Sequence, residues 1–145
     1  MPILNYTTTV PVDRTIGRVQ AALAKQGAQR VAVDFDASGP AALSFLLQVE
    51  LADGRRQVVE FRLPANFEGV EAALREAKVQ PRYRTPEHAR RVAWRIVQDW
   101  LDAQLAIIEA GLARPEQVLL PYAVAPDGRT LFEHFVDEPH RLLTP

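Results

Sequence analysis

Arg30-Val31-Ala32-Val33-Asp34-Phe35-Asp36, Ser38-Gly39-Pro40, Leu43-Ser44-Phe45-Leu46-Leu47-Gln48-Val49-Glu50-Leu51, Asp53-Gly54 and Gln57-Val58-Val59-Glu60-Phe61-Arg62-Leu63 follow one another with almost nothing between them. The three longer runs are rich in β-branched and aromatic residues, as pleated strands are, and turn residues separate them. Asp-Gly between two such runs is a strong two-residue hairpin signal. Residues 28–63 are therefore expected to form a three-stranded antiparallel meander, closed by Pro64, which cannot donate to a ladder.

Outward from this sheet, Tyr6-Thr7-Thr8-Thr9-Val10 alternates and ends at Pro11, which predicts an N-terminal edge strand. Asp13 is placed to cap a helix over about 14–26, with Ile16, Val19, Ala22 and Leu23 at helical spacing and Gly27 as its stop. Asn66 caps a short helix to about Ala77. Pro81-Arg82-Tyr83-Arg84 reads as extended, since Pro81 and Pro86 restrict their predecessors. Thr85-Pro86-Glu87 then opens a long helix to about Ala110, with Gly111 beyond it: a capping hydroxyl, a proline where no N–H is needed and an acid in the first turn. Further on, 118–122 is a short apolar run, Pro126-Asp127-Gly128 a turn and Thr130 the cap of a last short helix through Phe135. The tail from Asp137 is expected to be loosely ordered. The reading is one α+β domain, residues 1–145: an antiparallel sheet, the meander plus the N-terminal strand, packed on one long and two or three shorter helices.

The long helix has two adjoining apolar stripes, Ala89/Val92/Ile96/Trp100/Ala103/Ile107 and Trp94/Val97/Leu101/Leu105/Ile108. A polar stripe through Arg91, Arg95, Gln98, Asp102 and Glu109 remains. An apolar face this wide needs cover from the sheet or from a second subunit, so a two-fold homodimer through this helix is expected.

Composition excludes several classes of function. An apolar fraction of 48% and a charged fraction of 24% are those of ordinary globular domains, and no run approaches the ~18 apolar residues of a membrane helix, so no membrane partner is expected. The absence of cysteine removes disulfides, thiolate metal sites and cysteine nucleophiles. Met1-Pro2-Ile3-Leu4-Asn5-Tyr6 lacks the basic and apolar regions of a secretory signal, and a cytoplasmic address is expected. Arginine far outnumbers lysine, a bias that GC-rich genomes and heat-adapted hosts share.

The net charge of −1 offers no global attraction to a polyanion, but its distribution does. Residues 1–77 hold 8 basic and 9 acidic groups, residues 78–95 hold 6 and 1, and residues 96–145 hold 3 and 8. The whole positive excess falls in 78–95. Lys78, Arg82, Tyr83, Arg84, Arg90, Arg91 and Arg95, with Trp94, combine cations with aromatics, the ingredients of a phosphate-tracking and base-stacking surface. Cations in the first turns of a helix also oppose its dipole and call for an anion nearby. The structural alternative has these arginines paired with Glu71, Glu76, Asp99 or Asp102, and Trp94 in the core.

Other constellations are weaker. Asp34 and Asp36, two apart on one strand, and Glu60-Phe61-Arg62 on a later one follow a helix–three strands–helix order that is similar to the opening of the restriction-endonuclease-like nuclease core. That likeness implies Mg²⁺ held by an acid on the second strand and a Glu-x-Lys on the third. Here the acids fall on the first strand and Arg62 replaces the lysine, so turn capping by a buried-face aspartate pair is the expected role. His134, Asp137, Glu138 and His140 are interrupted by Pro139, which breaks metal-ligand spacing, and His88 reads as a surface or capping residue. No phosphate-binding loop, dinucleotide fingerprint, nucleophile elbow or zinc-protease motif occurs, and no metal, cofactor or catalytic residue is assigned.

Arg62-Leu63-Pro64 through Glu68-Gly69-Val70, Pro81-Arg82-Tyr83-Arg84, Ala93-Trp94-Arg95-Ile96-Val97-Gln98-Asp99-Trp100 to Ala110-Gly111, and Leu120-Pro121-Tyr122 together resemble a family of small uncharacterised proteins of bacteriophages and prophages, over about two-thirds of the chain. The resemblance implies a context, the cytoplasm of a host cell, and no catalytic motif. The expected function is a non-enzymatic phage-type accessory protein that contacts DNA or RNA, or a nucleic-acid-handling partner, through residues 78–95. A protein-interaction module, such as an inhibitor of a host enzyme, is the alternative, with a metal-dependent nuclease behind it.

Overall fold

A computed structural model of the chain, which describes residues 2–141 and 143, begins its regular structure with helix α1, Val12–Lys25. Strands β1 (Arg30–Asp36), β2 (Gly39–Glu50) and β3 (Arg56–Pro64) follow. They pair antiparallel in the order β1-β2-β3, so the meander forms as expected, but Asp53-Gly54 is not a two-residue loop: the Leu51 N–H donates to the Arg55 carbonyl at 2.8 Å and the loop is Ala52-Asp53-Gly54, with Gly54 at φ +83°. Phe45 lies opposite Phe61 and Leu43 opposite Leu63, and the two phenyl rings stack at 5.6 Å. These side chains, with Leu47 and Val49, form the buried face of the sheet.

Helix α2 (Phe67–Glu76) starts at Asn66, whose side chain accepts the Gly69 N–H at 3.0 Å. Helix α3 (Pro86–Glu109) starts at Thr85, whose hydroxyl accepts the His88 N–H at 3.1 Å. Short helices α4 (Pro115–Leu119) and α5 (Leu131–Asp137) complete the set, the latter opened by a reciprocal Thr130–Glu133 capping box. Among the described residues no helix is long and apolar enough to cross a membrane.

The covering of α3 follows from which residues it buries. Trp94, Leu101 and Leu105 enter the core with Ile16, Val19 and Leu23 of α1 and with the sheet, while Ala89, Val92 and Ala93 pack against Val70 and Leu74 of α2. Trp100 meets Tyr122 edge-on at 5.4 Å. Of the two apolar stripes, Ile96, Val97, Trp100, Ile107 and Ile108 are half-buried and only the small Ala103 is exposed. Elements of the same chain thus supply most of the cover for which a second subunit was expected.

Four sequence expectations are corrected. Asp13 does not cap α1: the helix begins at Val12 after Pro11 with no side-chain cap, and Asp13 lies inside its first turn. Residues 6–10 join no strand: Asn5 takes φ +64°, residues 4–7 turn, and the Tyr6 carbonyl is used by the His88 side chain. Their β-branched composition favours extended chain, but a strand also needs a paired neighbour. Residues Pro81–Tyr83 form a 3-10 turn, although Gln80 and Thr85, the residues before the prolines, are extended as expected. The tail from Asp137 continues into a 3-10 turn, Pro139–Arg141, and Asp137 is held by Arg129; Leu142, Thr144 and Pro145 lie outside the described residues.

Candidate functional site

The six cations of residues 78–95 divide by the element that carries them. On α3, helical spacing brings carboxylates to the arginines. Arg91 Nη1 reaches Glu87 at 3.2 Å and Arg95 Nε reaches Asp99 at 3.3 Å, both i,i+4 pairs of single contacts. Their side chains keep only 27% and 30% of their exposure, so both are half-buried, and neither makes a bidentate bridge. The anion that a basic helix start calls for is supplied within the chain.

Arg90 is not at the surface at all. Its side chain is 8% exposed, its Cζ sits 4.0 Å from the centre of the Phe67 ring, and Nη2 faces Asp36 at 3.4 Å. Nη1 donates to the Pro40 carbonyl, which also accepts the indole N–H of the buried Trp94 at 3.2 Å. Arg90 and Trp94, one helical turn apart, clamp α3 to the β1–β2 turn. Trp94 is in the core, as the structural alternative held, and Arg90 is internal too, but with Asp36 and Pro40 as partners and none of the carboxylates expected.

Asp36 belongs to the same clamp. It accepts the N–H groups of Ser38 and Gly39 at 2.8 and 3.1 Å, and its carboxyl is held below the ordinary range, first by the Ser38 N–H and then by Arg90, against some desolvation. Turn capping is therefore what Asp36 does, but on an exposed strand end and not a buried face. Asp34, across an irregularity in the ladder, accepts the Ser44 hydroxyl at 3.2 Å. Asp34 and Glu60 line one shallow depression on the open face of the sheet with Arg30 beside them, and Arg62 donates away from it to the Gly128 carbonyl. Among the described residues no group of three or more His, Asp or Glu side chains has the geometry of a metal site. His134 pairs with Asp127 at 2.9 Å, and the Asp127 carboxyl is lowered first by the Arg129 N–H and next by His134.

His88, read as a surface residue, is buried. Its Nε2 lies 2.5 Å from the Tyr6 carbonyl and its Nδ1 3.2 Å from Arg91 Nη2. A carbonyl only accepts and a guanidinium only donates, which fits a neutral ring protonated at Nε2. Tyr83 completes this knot: its ring meets Tyr6 edge-on at 5.6 Å and His88 at 5.2 Å, while Arg82 Cζ stands 4.7 Å over it. With its surroundings taken, Tyr83 is not an open platform for a base.

Lys78, Arg82 and Arg84 remain. They lie on the connection between α2 and α3, and among the described residues none has a carboxylate within 4.0 Å. Lys78 is exposed at φ +55°, directly after the α2 cap, where glycine is the usual residue. A side chain there costs conformational energy, and this one places an ammonium in solvent. The seven residues 78–84 carry three positive charges and no negative one. No family model, curated protein or solved structure matches this chain.

Proposed function

We propose that this protein is a non-enzymatic, phage-type accessory protein of the host-cell cytoplasm that contacts DNA or RNA through Lys78, Arg82 and Arg84. One observation carries the reading: these are the cations of residues 78–95 that have no carboxylate within 4.0 Å among the described residues. Lys78 and Arg82 are exposed and Arg84 is half-buried, and cations on a short connection between two helices suit the phosphate backbone, which every nucleic acid presents irrespective of sequence. Arg95 can exchange its contact with Asp99 for phosphate and so extend the footprint, whereas Arg91 is held by both Glu87 and His88. The phage context rests on the resemblance of residues 62–122. Nothing in the reading needs a second copy, since α1, α2 and the 119–122 segment already cover most of α3.

A second reading, a module that binds a protein, is favoured by a different surface. Phe132 and Val136, one turn apart on α5, are each 57% exposed, and Leu120 is also open. A partner held there would be bound by apolar burial, which added salt does not weaken. Titration of a fluorescent mixed-sequence oligonucleotide at several salt concentrations separates the two. Phosphate contact gives a linear fall of log K with log salt, and no binding at low salt defeats the nucleic-acid reading.

A further inference from the structure

Helix α1 carries a second line of cations that the charge count along the chain conceals, because residues 1–77 as a block hold 8 basic and 9 acidic groups. Arg14, Arg18 and Lys25 are all exposed, and among the described residues none has a carboxylate within 4.0 Å. At about 100° per residue they fall within roughly 40° of one another around the helix, and they span about 16 Å along its axis. The opposite face holds Thr15, Ile16, Val19 and Leu23, all buried. The stripe is therefore fixed in orientation by the core.

Two features of this face work against α1 as an isolated element. Arg14 and Arg18 form a like-charge i,i+4 pair, with Arg14 in the first turn where the helix dipole disfavours a cation. Gly17, beside the stripe in the helix interior, is unfavourable there, and packing does not require it: a Cβ at that position meets nothing within 4 Å. Ala21 and Ala24, also exposed, continue the low relief. Repelling cations beside a flat, open helix surface suit a continuous external anion that approaches the backbone closely.

We infer that the outer face of α1 is a second nucleic-acid contact, in which Arg14, Arg18 and Lys25 neutralise successive phosphates while Gly17, Ala21 and Ala24 admit the sugar-phosphate backbone. A straight cationic line with no hydrogen-bonding pattern reads no bases, so the contact is independent of sequence. It rests on the reading of the protein as a nucleic-acid binder and adds a separate set of contacts to that of residues 78–84.

The test compares the wild type, R14A/R18A/K25A, K78A/R82A/R84A and Gly17→Gln with a mixed-sequence single strand of about 20 nucleotides, across a salt series. Loss of three phosphate contacts lowers the slope of log K against log salt by about 2 for a single strand, and R14A/R18A/K25A is expected to show this. Gly17→Gln keeps every charge and is expected to bind several-fold more weakly with the wild-type slope; should the triple variant not fold, this variant decides alone. Wild-type affinity and slope in R14A/R18A/K25A, with binding lost in K78A/R82A/R84A, overturns the α1 contact and leaves the proposed function standing. A wild type that binds no oligonucleotide at low salt overturns both. Poly-glutamate that binds through α1 at least as tightly as the oligonucleotide overturns the choice of phosphate as partner.

Discussion

Residues 78–84 and 86–95 have nearly the same recipe, three cations each, and opposite outcomes. On α3 the 3.6-residue period lays Glu87 and Asp99 one turn from Arg91 and Arg95, and burial takes Arg90 into a clamp on the β1–β2 turn. On the α2–α3 connection no periodicity delivers a carboxylate, and among the described residues Lys78, Arg82 and Arg84 have none within 4.0 Å. Density of charge along a sequence therefore says little about charge offered to a partner. The element that carries the charge decides.

The largest effect that would break this comparison is at Arg90. Arg90→Ala removes a charge-assisted bond to the Pro40 carbonyl, the Asp36 contact and the stacking on Phe67, and is expected to cost roughly 2–3 kcal/mol in denaturant unfolding. Its oligonucleotide salt slope should equal that of the wild type. A stable Arg90→Ala protein with a reduced slope would place Arg90 in the interface and collapse the division.

Lys78 sharpens the opposite side. Lys78→Gly relieves a left-handed backbone and is expected to raise stability by about 1 kcal/mol, while the binding slope drops by the share of one phosphate. Thermal unfolding and a salt titration of the same sample read both. A variant that gains stability and keeps its slope would remove Lys78 from the contact.

The i,i+4 pairs should be nearly silent in stability. Arg91→Ala and Arg95→Ala are each expected to cost about 0.3–0.5 kcal/mol, the value of one i,i+4 helical pair. A much larger loss at Arg91 would show that its contact with His88 matters more than its pair with Glu87.

The smallest effect is the acid limb of stability. The Asp36 carboxyl is lowered in the fold, so its contribution is complete above the ordinary aspartate range and disappears as pH falls through the folded value, below about pH 4. Asp36→Asn should flatten that limb and leave stability between pH 5 and 8 independent of pH at this site. An unchanged acid limb would mean that other carboxylates dominate it.

The meander was legible because alternation, Asp53-Gly54 and Pro64 are local signals, and the caps at Asn66, Thr85 and Thr130 are read from single residues. The N-terminal strand misled because a run such as Tyr6–Val10 states a preference for extended chain and not a partner. The candidate site was only half legible. The charge count singles out residues 78–95 as one block, but burial of Arg90 depends on Phe67, Asp36 and Pro40, distant in sequence, and the occupied surroundings of Tyr83 depend on Tyr6 and His88. The stripe on α1 was hidden because 1–77 was summed as one nearly neutral block, although the spacing of 14, 18 and 25 around a helix would have revealed it.

The central claim is that the unpaired cations of residues 78–84 are held for phosphate. Its most direct test is the salt dependence of single-strand binding by K78A/R82A/R84A beside the wild type, with circular dichroism to confirm that both are folded. The account predicts unchanged folding and a slope lower by about 2, the share of three phosphate contacts. A folded triple variant that binds with the wild-type slope and affinity would contradict it.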